Sequence, residues 1–161
     1  MIAEREIEER MKSLFAASLE AAGVTGVRFE GAWSVAADGT VKGVADDSAV
    51  SAALAVGIRN YATFQTPQAD LPCVLAVCVR RDACPTGAEL AAVIEPIMNR
   101  LHVWNADADA VFSELTTAHF SPGGFQLTGG SGPEYDETTA AWTVTFNFTL
   151  RGVIEHSTTT T

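Results

Sequence analysis

The chain has 161 residues, 47% hydrophobic and 19% charged, a balance that specifies a globular protein with a real core and excludes a disordered chain. Ten Lys and Arg against 20 Asp and Glu give a formal net charge of −10 with no basic stripe, which excludes a protein built to grip a phosphate backbone. Met1 leads into a charged helix with no apolar h-region, and no apolar run reaches the roughly 18 residues of a membrane span. Neither a signal peptide nor a transmembrane segment is therefore expected.

Residues 2–22 have the spacing of an amphipathic helix, with Ala3, Ile7, Met11, Leu14, Phe15, Ser18 and Ala22 on one stripe. Glu6–Arg10 and Glu8–Lys12 are i,i+4 pairs in the better orientation, early Glu4 and Glu6 suit the positive end of the dipole, and Gly23 stands where a C-terminal cap belongs. A hairpin follows: Val27, Phe29, Trp33 and Val35 alternate, Asp38-Gly39 is the turn dipeptide, and Thr40 to Ala45 returns. Residues 46–56 read either as a short helix capped by Ser48 or as extended chain. Alternation of Leu54, Val56, Ile58, Ala62 and Phe64 opposite Arg59, Tyr61 and Thr63 favours a strand from about Ala53 to Gln65.

Thr66 to Pro72 is turn-rich, and its prolines should break any ladder. Cys73 to Val79 is apolar on both faces, as a central strand requires. Thr86-Gly87-Ala88-Glu89 is a capping box opening a helix on which Leu90, Val93, Ile94, Ile97, Met98 and Leu101 share one face. Pro96 lies inside that helix and should kink it, at about 3 kcal/mol if nothing compensates. A second helix capped by Asp107 or Asp109 carries Val111, Phe112 and Leu115. Phe125 and Leu127 begin a strand, and a Gly-rich acidic loop from Gly129 to Glu137 is expected before the last one.

That last strand, Ala141 to Ile154, puts Trp142, Val144, Phe146, Phe148, Leu150, Gly152 and Ile154 on one face and Thr143, Thr145, Asn147, Thr149, Arg151 and Val153 on the other. Strands usually run to about 5–6 residues. A run this long suggests that one half pairs within its own domain while the other is free to pair elsewhere, a trait of assembly and not of catalysis. Residues 1–156 thus form one structural domain, and the polar Ser157–Thr161 tail adds nothing to a core.

Signals for chemistry are weak. Cys73, Cys78 and Cys84 are an odd set with no disulfide framework, and Cys73 and Cys78, five apart on a strand, face opposite ways. His102, His119 and His156 lack a second ligand at metal-binding spacing. Gly129-Gly130-Ser131-Gly132-Pro133 misses the nucleophile-elbow spacing by one residue. Asp107 and Asp109 are explained as helix caps, and Glu134, Asp136 and Glu137 around Tyr135 do not follow the calcium-loop pattern. No catalytic, metal-binding or cofactor-binding residue is assigned, and no cofactor is expected.

The order of elements brings out a resemblance. The parts that carry it are Asp70-Leu71-Pro72 before the central strand, Gly124-Phe125 before the last hairpin, and the closing pattern Trp142-x-x-x-Phe146-x-Phe148-x-Leu150-x-Gly152-x-Ile154. Over residues 2–154 the chain resembles the tail terminator and minor tail proteins of long-tailed bacteriophages and their relatives in prophages and phage-derived particles. The resemblance implies an α+β fold: a mixed, mainly antiparallel sheet of about 5–6 strands packed on two or three helices, ending in a long strand. It further implies a virion protein at the head-proximal end of the tail, a homo-oligomeric ring, usually a hexamer, that caps the tail tube and meets the head-completion protein. DNA would pass through its lumen without specific binding, which suits the acidic charge. On this basis the interface candidates are Trp33, the Asp38-Gly39 turn, the mobile loop residues Glu134, Tyr135, Asp136 and Glu137, and the polar face Thr143, Thr145, Asn147, Thr149 and Arg151. The competing readings are a head–tail adaptor or tail-completion protein and, in another class, a small enzyme or ligand-binding module.

Overall fold

The computed structural model describes residues 3–24, 28–30, 50–56, 68–81, 87–137 and 140–154. In chain order these form α1 (Ala3–Ala21), β1 (Arg28–Glu30), β2 (Val50–Val56), β3 (Gln68–Arg80), α2 (Gly87–Ala106), α3 (Ala108–Leu115), β4 (Phe120–Asp136) and β5 (Ala141–Ile154). The fold is α+β. The strands make one sheet in the order β1-β2-β3-β5-β4; β1 and β2 are parallel, and the other neighbours are antiparallel.

Strand periodicity decides where the core lies. Leu71, Cys73, Leu75 and Val77 of β3 pair with Leu150, Phe148, Phe146 and Val144 of β5, so all eight share a face, and all are buried. The helices cover that face. Ile7, Met11, Phe15 and Leu19 of α1 and Leu90, Ile97, Leu101 and Trp104 of α2 bury their stripes in the same core. Aromatic rings run through both layers: Phe15 meets Trp104 at 5.5 Å, Trp104 meets Phe125 at 5.6 Å, and Phe125 meets Phe148 at 5.1 Å. Such pairs contribute about 0.5–1.5 kcal/mol each beyond their burial.

Several expectations hold. α1 ends at Gly23, whose φ of +85° is the left-handed conformation that glycine adopts without steric cost. Asp107 is the cap of α3, its carboxylate accepting from the backbone N–H groups of Asp109 and Ala110. The α2 helix runs through Pro96. Residues 50–56 are strand and not helix, because β3 supplies an antiparallel partner for each of them. The rest of the 53–65 strand, the Asp38-Gly39 hairpin, Thr86 of the capping box and the 157–161 tail lie outside the described residues.

Others need correction. Gln68 to Pro72 is strand and not loop: these residues pair with Val153 to Thr149 of β5. Pro72 lies one residue beyond Cys73, the last described partner of β2, and is itself exposed, a position of the kind a strand proline tolerates. The segment Gly129–Asp136 is also strand, and Glu137 begins the turn to β5. The glycines that suggested a loop instead absorb register shifts at Pro122/Gly124, Leu127/Gly129 and Ser131/Glu134. The expected 129–137 loop is therefore strand through Asp136.

The half-free final strand is overturned as well. β5 pairs with β3 from Ala141 to Val153 and with β4 from Ala141 to Ile154, so it sits inside the sheet with both sides occupied. Two long antiparallel neighbours satisfy its backbone more fully than an open edge would. The Glu6–Arg10 pair of α1 also gives way. Glu6 turns to His119 and Arg10 donates to the Glu114 carbonyl at 2.8 Å, since tertiary partners outcompete an exposed helix pair. Lys12 closes on Glu9 of the same helix at 3.5 Å, an i,i+3 pair, while its charge still acts on Glu8.

Candidate functional site

Two surfaces qualify: the outer face of β5 with the end of the β4–β5 hairpin, and a groove beside β4. On the outer face, Thr143, Thr145, Asn147 and Thr149 are half-buried and Arg151 is exposed, opposite Cys78, Ala76, Val74, Pro72 and Asp70 of β3. Arg151 donates to both Asp70 oxygens, Nε at 2.7 Å and Nη2 at 3.4 Å, which raises its already high pKa further. Asp70, at the start of Asp70-Leu71-Pro72, therefore answers the arginine of the last strand.

At the hairpin end, Tyr135 stacks on Trp142 at 4.9 Å, and the Arg81 guanidinium lies 5.5 Å over the tyrosine ring and donates to its hydroxyl at 3.4 Å. Glu134 and Glu137 are exposed beside it, and Asp136 pairs through its backbone with Ala141. The structure thus brings Glu134, Tyr135, Asp136 and Glu137 together with the start of the polar face. Trp33, Asp38 and Gly39 fall outside the described residues.

The groove was missed by sequence reasoning. It runs between α2 and the β4–β5 hairpin with a volume of about 780 Å³, with Leu90, Ile94 and Met98 on one wall and Val144 and Phe146 on the other. The available signal was the run Gly129–Gly132, which places no side chain over Phe146.

None of these residues converges as a catalytic set. Ser131 and His102 both line the groove, yet no hydrogen bond joins them among the described residues. Glu95 and His102 stand seven residues apart on one helix, about 10 Å of rise. Cys73 is buried, and desolvation pushes its thiol up to about 12, the reverse of nucleophile activation. His119 is engaged by Glu6 at 2.7 Å, and among the described residues no three His, Cys, Asp or Glu side chains form a metal-binding group. No helix among them is long and apolar enough to cross a membrane.

The chain matches no protein-family model, and no curated protein matches it. A solved structure does share its fold: a chain from the virion of a native gene transfer agent particle, with a TM-score of 0.57 and 14% identity over 94% of this chain and 95% of that one. The likeness is one of fold, and it extends from end to end of both chains.

Proposed function

We propose that this chain is a structural virion protein of the phage type, a tail terminator that closes into a ring on the end of the tail tube and offers its other side to the head-completion protein. The observation that carries this reading is the end-to-end correspondence of fold with a chain of a gene transfer agent virion. The element order around Asp70-Leu71-Pro72, Gly124-Phe125 and the closing strand points the same way. The sheet suits the role, because a 14-residue β5 paired on both sides makes a stiff wall. The net charge of −10 suits a lumen through which DNA slides.

In this reading the ring closes through a heterologous interface between two different patches, with the polar face of β5 and the Tyr135–Trp142 end as the candidate patches. Adding the purified chain to growing tail tubes tests it. A terminator binds the open end, stops elongation and forms closed rings visible by electron microscopy. Binding to the head connector with tube growth unaffected would reassign the chain as a head–tail adaptor. Turnover of a small molecule in the α2–β4 groove would end the structural reading altogether.

A further inference from the structure

The groove beside β4 arises from close packing. A Cβ on Gly130 would stand 2.7 Å from the Thr145 carbonyl oxygen, and one on Gly132 would stand 2.6 Å from that of Thr143, so neither position accepts a side chain without moving β5. Across the groove from α2, β4 offers only Gly130, Ser131, Gly132 and Pro133. Met98 is left 40% exposed over Val144 and Phe146.

The form and charge of an occupant follow from the walls. The β4 edge alongside is a poor template for an added strand, because it bulges between Ser131 and Glu134 and Pro133 offers no N–H. A segment that satisfies its own backbone fits better, and this is a helix. The wall from Gly87 to His102 is about 22 Å long, the length of a helix of about 15 residues. Glu95 lines the groove with no Lys or Arg among its described walls, and Glu134 is exposed on the neighbouring strand. A second copy of the chain, at net charge −10, would need a basic patch of its own to face Glu95.

The geometry points to the α2–β4 groove as the docking site for an amphipathic helix of a partner protein, apolar at i, i+3 or i+4 and i+7, with Lys or Arg facing Glu95. This holds whether or not the chain caps a tail.

The test uses the full chain and a fluorescein-labelled peptide of about 15 residues, with Leu on one helical face and Lys on the other, read by anisotropy. A scrambled peptide of the same composition is the control. The native chain should bind the patterned peptide at least about tenfold more tightly than the scrambled one. Met98→Glu and Ala91→Glu, both at exposed positions and checked for folding by circular dichroism, should each weaken binding by about tenfold or more. Glu95→Lys should weaken it at low salt, and less at high salt. Phe112→Ser, at an exposed phenyl on α3 outside the groove, should leave it unchanged. No binding, equal binding of the scrambled peptide, or indifference to the groove substitutions overturns the proposal. So does a concentration-dependent dimer of the chain that Met98→Glu abolishes, which would give the groove to a second copy.

Discussion

The indole Nε1 of Trp104 donates to Oε2 of Glu114 at 2.7 Å, joining the fully buried tryptophan of α2 to the last turn of α3. The other oxygen of the same carboxylate takes Nη1 of Arg100 at 2.5 Å, and Nε of Arg100 donates to Ser18 Oγ at 2.6 Å. The Glu114 carboxylate thus ties α2 to α3, and Arg100 carries the network on to α1. Glu114→Ala should cost about 2 kcal/mol, because it strands a buried N–H, and Glu114→Gln should recover part of that by keeping an acceptor. Urea denaturation reads both. A loss under about 0.5 kcal/mol for the alanine would mean the network is not a structural tie.

Glu6 sets an acid limit on stability. Its hydrogen bond to His119 holds its carboxyl below the ordinary value of 4.5, outweighing desolvation, and the positive charge of His119 and the Thr117 hydroxyl act in the same direction. A carboxyl depressed in the folded state contributes stability that is fully present above the unfolded pKa and lost as pH falls through the folded one. Stability should therefore drop below about pH 4.5, and Glu6→Gln should flatten that drop when denaturation midpoints are measured from pH 7 to pH 3.

Gly152 leaves no room for a side chain. A Cβ there would stand 2.5 Å from Phe120 Cζ and 2.8 Å from its Cε2, inside the core face of the β4–β5 pair. Gly152→Ala should lower stability by about 1–3 kcal/mol through overpacking. Gly129→Ala, with nothing within 4 Å of the added carbon, should change it far less. Thermal unfolding of the two variants side by side makes the comparison, and equal losses would contradict it.

Cys73 should be chemically silent in the folded chain. Burial raises its thiol to about 12, so almost no thiolate forms at pH 8. Site-resolved mass spectrometry after alkylation should find Cys73 modified only once denaturant opens the core. Labelling under native conditions at the rate of a free thiol would show that β3 opens readily.

Local physics made much of this protein legible. The α1 stripe ending at Gly23, the Asp107 cap and the alternation of Ala141–Ile154 each depend on neighbours within one turn or one strand, where spacing is enough. The Gly129–Glu137 stretch misled for the same reason: glycine and acid look alike in a loop and in a bulged strand, and only the approach of the Thr145 backbone distinguishes them.

The sequence by itself determined the buried face of most elements, since periodicity assigns each side chain a face before any partner is known. It did not fix every residue, because Met98 and Phe112 are exposed and Leu19, off the expected α1 stripe, is buried. It determined the acidic charge too. Only the tertiary structure decided what lies beside each strand: that β5 sits between β3 and β4 with neither side spare, that Asp70 meets Arg151, and that α2 stands across a groove from the Gly130–Pro133 strip of β4. Those are pairings between residues as distant as Gln68 and Val153, and a contact at such separation is set by the sum of the packing and not by any local pattern.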